Sequence, residues 1–149
     1  MQFTAEESQQ IRDALKRVTF LQHLKMGELD AVISAMDKTA FRKGETLIRQ
    51  GAYGNTLYLI AAGSLGVYKR AWLILKQRIA TRRRGEFVGE MALLDNKPRN
   101  ATHIADDDGQ AYTLTRAAFD GVLLQNPSIA ALIRQTAENR HIQDRAEGF

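Results

Sequence analysis

Residues 87–94 read FVGEMALL and residues 97–102 read KPRNAT, and these two runs are the most informative part of the chain. Gly89 leads into good helix formers, and the start of a short helix presents backbone amides that, with the helix dipole, attract an anion. Pro98 sets Arg99 at the beginning of the next strand, from which its guanidinium can reach the same anion with fixed geometry. Together the two runs predict a binding site for a phosphate.

Glu90 is the unexpected member of this site, because a carboxylate beside a phosphate repels it. Its presence makes sense if it accepts a hydrogen bond from a hydroxyl of the same ligand, such as a ribose 2′-hydroxyl. A phosphate and a ribose together indicate a nucleotide. The simpler alternative is that Glu90 and Arg99 form a structural ion pair with each other.

The region from residue 39 to residue 114 has the composition of an antiparallel barrel or sandwich. Short runs rich in β-branched and aromatic residues are separated by glycines, as is typical of such folds. One short helix is expected within 89–95, where Met91 to Leu94 are helix formers. The predicted strands are 46–49, 56–61, 65–69, a strand within 73–83, 102–104 and 111–114.

Helical periodicity surrounds this region on both sides. Thr4 and Glu7 form a capping box, which predicts a helix over residues 4–18, and a second amphipathic stretch should end near Asp37. After the strands, a helix is expected over 116–124. Pro127 suits the first turn of a last helix that runs to about residue 145.

Length and composition favour one domain over residues 1–149. The sequence has no cysteine, which excludes disulfides and thiolate metal sites. Its three histidines are isolated in sequence, which argues against a metal-dependent enzyme. No run approaches the roughly 18 apolar residues of a membrane span and no targeting segment is evident, so a cytoplasmic protein is expected.

The net charge of +4 is unevenly distributed. Residues 46–85 contain eight lysines or arginines and no acidic residue. Such a block can attract nucleic acid, acidic lipid or a small anion, and a solvated strand face or an acidic partner subunit explains it equally well. Nucleic acid is disfavoured, because no helix-turn-helix or aromatic-interleaved pattern accompanies the charge. The run Arg82-Arg83-Arg84 is interpreted as part of a strand face rather than a kinase pseudosubstrate.

The two runs resemble the phosphate-binding cassette of the cyclic-nucleotide-binding domains found in cyclic-nucleotide-dependent kinases, gated channels and bacterial regulators. That cassette reads approximately F-G-E-x-A-L, a variable turn, then P-R-x-A-T, and here 88–93 read VGEMAL and 98–102 read PRNAT. The resemblance covers roughly residues 20–135 and includes the glycine turns RKGE at 42–45 and QGAYGN at 50–55, and the segment YLIAAG at 58–63.

The resemblance implies an α+β fold, an antiparallel jelly-roll β-barrel with flanking N- and C-terminal helices and a short cassette helix inside the barrel. Residues 1–38 would form the N-terminal helices and residues 39–115 the barrel, with the cassette at 87–102. Residues 116–149 would form the C-terminal hinge and lid helices.

By the same resemblance, Glu90 binds the ribose 2′-hydroxyl, Arg99 binds the cyclic phosphate, and backbone amides near Ala92 and Ala101 hold the phosphate oxygens. Asn100 stands where family members that bind cGMP tend to have Thr or Ser, and those that bind cAMP an Ala, and it matches neither pattern. Its side-chain carbonyl can accept from the guanine amino group, which gives a slight preference for cGMP, although its amide can also serve adenine. Ile133 is a candidate lid over the base. The implied ligand-binding residues are Gly89, Glu90, Met91, Ala92, Arg99, Asn100 and Ala101.

The implied function is that of a cyclic-nucleotide sensor and not an enzyme. Its ligand would be cGMP or cAMP, with no other cofactor. Occupancy would be relayed through the C-terminal helices to an effector outside this chain, such as a protein kinase catalytic domain or a channel. The alternative is an interaction or docking module of the same fold, with an empty pocket or a non-cyclic nucleoside as its ligand.

Overall fold

The computed structural model describes residues 2–70 and 76–135. The chain divides into two compact units. One, the helical unit, combines Met1–Ala35 with Ala117–Phe149, and the other, the sheet unit, is Met36–Arg116. That the two act as a single domain over residues 1–149 stays a prediction.

The helical unit contains α1 (Ala5–Leu15), α2 (Met26–Ser34), nearly all of α3 (Arg116–Gln125) and a further helix, α4, at 127–135. An ion pair of 3.1 Å between Arg12 and Asp30 joins α1 to α2. Phe20 and Phe119 meet edge to face, with ring centroids 6.2 Å apart. The predicted continuation of the last helix from residue 136 to about 145 lies outside the described residues.

The start of α1 confirms the predicted capping box. The amide of Glu7 donates to the Thr4 hydroxyl and the amide of Thr4 donates to the Glu7 carboxylate, each at 3.0 Å. The predicted end at residue 18 is wrong, because the helix ends at Leu15. Beyond it the amides of Arg17 and Val18 bond to carbonyls three residues back, which tightens the chain into turns.

The predicted end of α2 near Asp37 is also wrong. The helix ends at Ser34, and the amide of Ala35 bonds to Val32 three residues back. Asp37 instead begins a strand, opposite Thr113 in the register. Asp37 therefore belongs to a strand, because it pairs with a residue that is distant in sequence.

The sheet unit is a jelly roll of antiparallel strands. Within the described residues the strands form two four-stranded sheets, in the orders β1-β8-β3-β6 and β2-β7-β4-β5. The strands are β1 Asp37–Phe41, β2 Thr46–Ile48, β3 Thr56–Ala62, β4 Leu65–Lys69, β5 Gln77–Arg82, β6 Phe87–Val88, β7 Thr102–Ala105 and β8 Gly109–Thr115. The predicted antiparallel fold is confirmed, as two facing sheets.

The core of the sheet unit is built from side chains of both sheets. Burial of apolar area between facing sheets is the main stabilising contribution in such a fold. The cluster consists of Phe41, Ile48, Ile60, Leu65, Val88, Ala105 and Ala111. Since these residues come from seven strands, the two sheets share one core.

The predicted strands match the structure closely, and β4 is predicted with both ends correct. Two strands were not predicted: β1, and the two-residue β6 at the start of the cassette. The predicted short helix is present as a 3₁₀ helix at Glu90–Leu93. None of the helices in residues 2–70 and 76–135 combines the length and apolar character that a bilayer-spanning segment requires.

Candidate functional site

Gly89 connects β6 to the 3₁₀ helix in a conformation that only glycine adopts easily. Its φ is +79°, in the left-handed region. A Cβ at this position would also stand 2.7 Å from the carbonyl oxygen of Thr56 on β3. Both constraints require glycine at the entrance to the cassette.

Backbone hydrogen bonds within the 3₁₀ helix and at its end occupy several of its amides. The amide of Ala92 donates to the carbonyl of Gly89 at 3.1 Å, and the amides of Leu94 and Asp95 donate to the carbonyl of Met91. The side chains of Ala92 and Leu93 are buried. Ala92 therefore stabilises the turn, and it does not line the pocket described below.

The backbone of Arg99 is fixed by the glycine turn at residues 51–54. The amide of Arg99 donates to the carbonyl of Ala52, and the amide of Gly51 donates to the carbonyl of Arg99, both at 2.8 Å. Pro98 forms an isolated bridge with Tyr53. The turn thus holds the second half of the cassette in place before β7 begins.

The side chain of Arg99 is only 10% exposed and keeps unused hydrogen-bonding capacity. Its Nη2 lies 3.1 Å from the carbonyl oxygen of Lys97 and 3.5 Å from Oδ1 of Asp95. Its Nε is buried and has no hydrogen-bond partner among the described residues. The ion pair of Arg99 is therefore with Asp95, and not with Glu90 as the simpler sequence interpretation had it.

A cavity of about 340 Å³ lies between the two halves of the cassette. It brings together all the predicted ligand-binding residues except Ala92. It also includes five residues that were not predicted to bind the ligand. The lining residues are Ile48, Gly89, Glu90, Met91, Asp95, Lys97, Pro98, Arg99, Asn100, Ala101 and His103.

A second cavity of about 350 Å³ adjoins β2 and the turn before β3. It shares Ile48 and Arg99 with the cassette cavity, so Arg99 borders both. The side chains of Arg49, Asn55 and Tyr58 also line it. Burial is the first cause of a raised pKa at Tyr58 and the nearby charge of Glu45 the second, so this phenol stays neutral.

His103 is the cavity residue with the most perturbed acid–base behaviour. Burial first, and the positive charge of Arg82 second, lower the pKa of His103 from 6.5 to about 4. Its Nδ1 is buried without a hydrogen-bond partner among the described residues. The sequence signal that could have selected it is strand alternation, since Ala101 and His103 are two positions apart and both face the cavity.

The basic block is partly neutralised by acidic residues from outside it. Arg78 on β5 makes two hydrogen bonds to Asp106, of 2.9 and 2.7 Å, and Arg82 lies 3.9 Å from Glu86. The hydrogen bonds from Arg78 lower the pKa of Asp106. Of the triple-arginine run, predicted to be part of a strand face, only Arg82 belongs to β5, and the other two arginines lie between β5 and β6.

Ile133, the candidate lid, lies in α4 of the helical unit and is buried, and its role as a lid stays a prediction. Within residues 2–70 and 76–135, no group of three or more histidine, aspartate or glutamate side chains is placed to hold a metal ion.

Comparison with known proteins places this geometry among ligand-binding domains. The pattern that defines the cyclic nucleotide-binding domain matches residues 38–126, which include both sheets and the whole cassette. The chain is 35% identical over 109 residues to the cAMP-dependent protein kinase regulatory subunit of Aspergillus fumigatus, covering 73% of this chain. It is 33% identical over 131 residues to the cGMP-dependent protein kinase of Toxoplasma gondii, covering 87% of this chain.

A solved structure supports the same relationship. The regulatory domain of Toxoplasma gondii PKA, crystallised with cAMP, superposes with a TM-score of 0.71 at 27% identity, covering 80% of this chain and 46% of that one. The chain spans only part of its relatives, 26% of the Aspergillus subunit and 12% of the Toxoplasma kinase.

Proposed function

This chain belongs to the cyclic nucleotide-binding domain family, and we propose that its cassette cavity binds a cyclic purine nucleotide. The observation that carries the proposal is the buried Nε of Arg99, which lacks a hydrogen-bond partner among the described residues and borders the same cavity as Glu90. An unpaired buried donor costs free energy that a phosphate oxygen would recover.

The roles of the two charged residues follow from their chemistry. Arg99 donates to an oxygen of the cyclic phosphate, and its pairing with Asp95 at 3.5 Å is long enough to be exchanged for that stronger contact. The carboxylate of Glu90 accepts a hydrogen bond from the ribose 2′-hydroxyl. The amides at the start of the 3₁₀ helix add partial positive charge at the phosphate.

The identity of the base is less well defined by the cavity residues than the phosphate and the ribose are. Asn100 offers a side-chain carbonyl that can accept from the exocyclic amino group of guanine, which gives a slight preference for cGMP over cAMP. The relatives include both a cAMP-dependent and a cGMP-dependent kinase system. We therefore place cGMP first and cAMP second.

The role of the domain in a larger protein is proposed to be regulatory and not catalytic. A ligand that binds one conformation more tightly shifts the population towards it by the ratio of the two affinities. Residues 116–149 would carry that shift to an effector outside this chain, of the kind represented by a kinase catalytic domain or a channel.

Calorimetric titration with cGMP, cAMP, guanosine and adenosine tests the proposal. Binding of a cyclic nucleotide with a clear preference over its parent nucleoside is expected. Arg99→Ala should weaken that binding by at least about 2 kcal/mol, roughly thirtyfold, because a buried charge-assisted contact is lost. Arg84→Ala is the matched control, since Arg84 is exposed and lies outside the cavity lining.

Absence of heat and of any thermal shift with both cyclic nucleotides would show that the proposal is wrong. Equal affinity for nucleoside and cyclic nucleotide would favour the docking-module alternative. Unchanged affinity in the Arg99→Ala variant would show that the phosphate is held elsewhere.

A further inference from the structure

The cassette cavity has two walls of different chemistry. The turn between the 3₁₀ helix and β7 supplies a charged wall, with Asp95, Lys97 and Arg99. Strands β2 and β7, with Ala101 directly before β7, supply the other wall, where Ile48 and Ala101 are buried and His103 stands opposite Ile48 in the register. The charged wall suits the phosphate and leaves the strand wall for the uncharged, planar base.

His103 is the polar side chain of the strand wall. Its Cα partners are Ile48 on β2 and Val67 on β4, both buried and apolar. Because its pKa is lowered to about 4, the imidazole is neutral near pH 7 and has one N–H donor and one nitrogen acceptor. The buried Nδ1 has no partner among the described residues, so the protein itself leaves one of these capacities unmet.

We propose that His103 contacts the purine base of the bound nucleotide through a hydrogen bond at Nδ1. This inference rests on the proposed function. Purines offer complementary groups, an N7 acceptor in both bases and, at position 6, an acceptor in guanine or an amino donor in adenine. A neutral histidine can match either pattern by choosing its tautomer, so His103 contributes affinity for both purines and Asn100 adjusts the choice between them.

The substitution His103→Leu removes both ring nitrogens and keeps an apolar side chain between Ile48 and Val67. We expect the affinity for cGMP and for cAMP to fall about fivefold to tenfold, as for one lost hydrogen bond. The unfolding midpoint of the ligand-free protein should stay the same or rise, because an unpaired buried polar atom is removed. His23→Leu is the matched control, since His23 is exposed and belongs to the helical unit.

A spectroscopic measurement on the unaltered protein makes the test independent of any variant's folding. The ¹⁵N chemical shift of the His103 Nδ1 should move on saturation with cyclic nucleotide, while the ring nitrogens of His23 do not. His103→Gln, which keeps a donor and an acceptor, should retain more affinity than His103→Leu.

The outcomes separate this inference from the proposed function. If the unaltered protein binds cyclic nucleotide and loses it with Arg99→Ala, but Nδ1 does not shift, His103 is not a contact and only the inference is wrong. Unchanged affinity in His103→Leu has the same meaning. If the unaltered protein binds no cyclic nucleotide, both are wrong.

Discussion

Gly54 lies directly against the side chain of Arg99. A Cβ placed on Gly54 would stand 3.2 Å from Cδ of Arg99 and 3.5 Å from its Nε. The φ of Gly54 is not in the left-handed region, so the close approach alone, and not backbone strain, makes an added methyl group unfavourable there.

Gly54→Ala should therefore displace the arginine by a few tenths of an ångström and weaken cyclic-nucleotide binding. A misplaced charge-assisted contact corresponds to about 1 kcal/mol, or roughly fivefold in affinity. Calorimetric titration measures it. Gly27→Ala, in α2 with nothing within 4 Å of the added Cβ, should leave the affinity unchanged, and an equal effect of both substitutions would contradict the explanation.

Gly89→Ala should destabilise the sheet unit more than Gly44→Ala does. Both glycines have positive φ, +79° and +87°, so both variants lose about 1–2 kcal/mol from the left-handed conformation. At Gly44 the added Cβ meets open space, but at Gly89 it meets the Thr56 carbonyl oxygen at 2.7 Å. The difference in the free energy of unfolding, measured in urea, should be about 1–3 kcal/mol. Equal losses of unfolding free energy in the two variants would show that the backbone near Gly89 adjusts to accommodate the added Cβ.

The stability of the protein should depend on pH through His103. Its pKa is lowered from 6.5 to about 4 in the folded state, so between these values the unfolded chain binds a proton that the folded chain excludes. The free energy of unfolding must therefore fall as the pH falls through this range. Urea unfolding of the unaltered protein and of His103→Leu should give curves that separate below pH 6.5, with the steeper fall in the unaltered protein. Parallel curves would contradict the conclusion that the lowered pKa of His103 makes the stability depend on pH.

Asn100→Ala should change the preference between the two purines. Loss of the side-chain carbonyl removes an acceptor for the guanine amino group, so the affinity for cGMP should fall about threefold to tenfold while that for cAMP is nearly unchanged. Competition binding with both nucleotides measures the ratio. Asn96→Ala, at an exposed position outside the cavity lining, serves as the control, and an equal loss for both nucleotides would show that Asn100 does not read the base.

Features fixed by neighbouring residues could be predicted from the sequence. The Thr4 and Glu7 capping box depends on two residues three apart, and the glycine that opens the cassette is required by the local backbone. The same holds for β4, a short run that begins just after the glycine turn at Gly63. Six of the seven predicted ligand-binding residues line the cavity, because they belong to one continuous motif.

Features that depend on distant pairing could not be predicted in this way. The first four residues of β1, Asp37 to Ala40, are exposed, so the strand lacks alternation and exists because β8 pairs with it. The two residues of β6 are too few for any periodic signal. Strand alternation after Ala101 could have selected His103, but its position opposite the buried Ile48 depends on pairing between residues 55 positions apart.

The cassette begins in β6, at the edge of one sheet, and ends in β7, an inner strand of the other. β6 is held to β3 at only two positions, Tyr58 to Val88 and Leu59 to Phe87. A nucleotide bound by Glu90 and Arg99 at once would connect the edge of one sheet to an inner strand of the other. Release of the nucleotide would then remove a link between the two sheets, at the edge strand β6 of one and the inner strand β7 of the other.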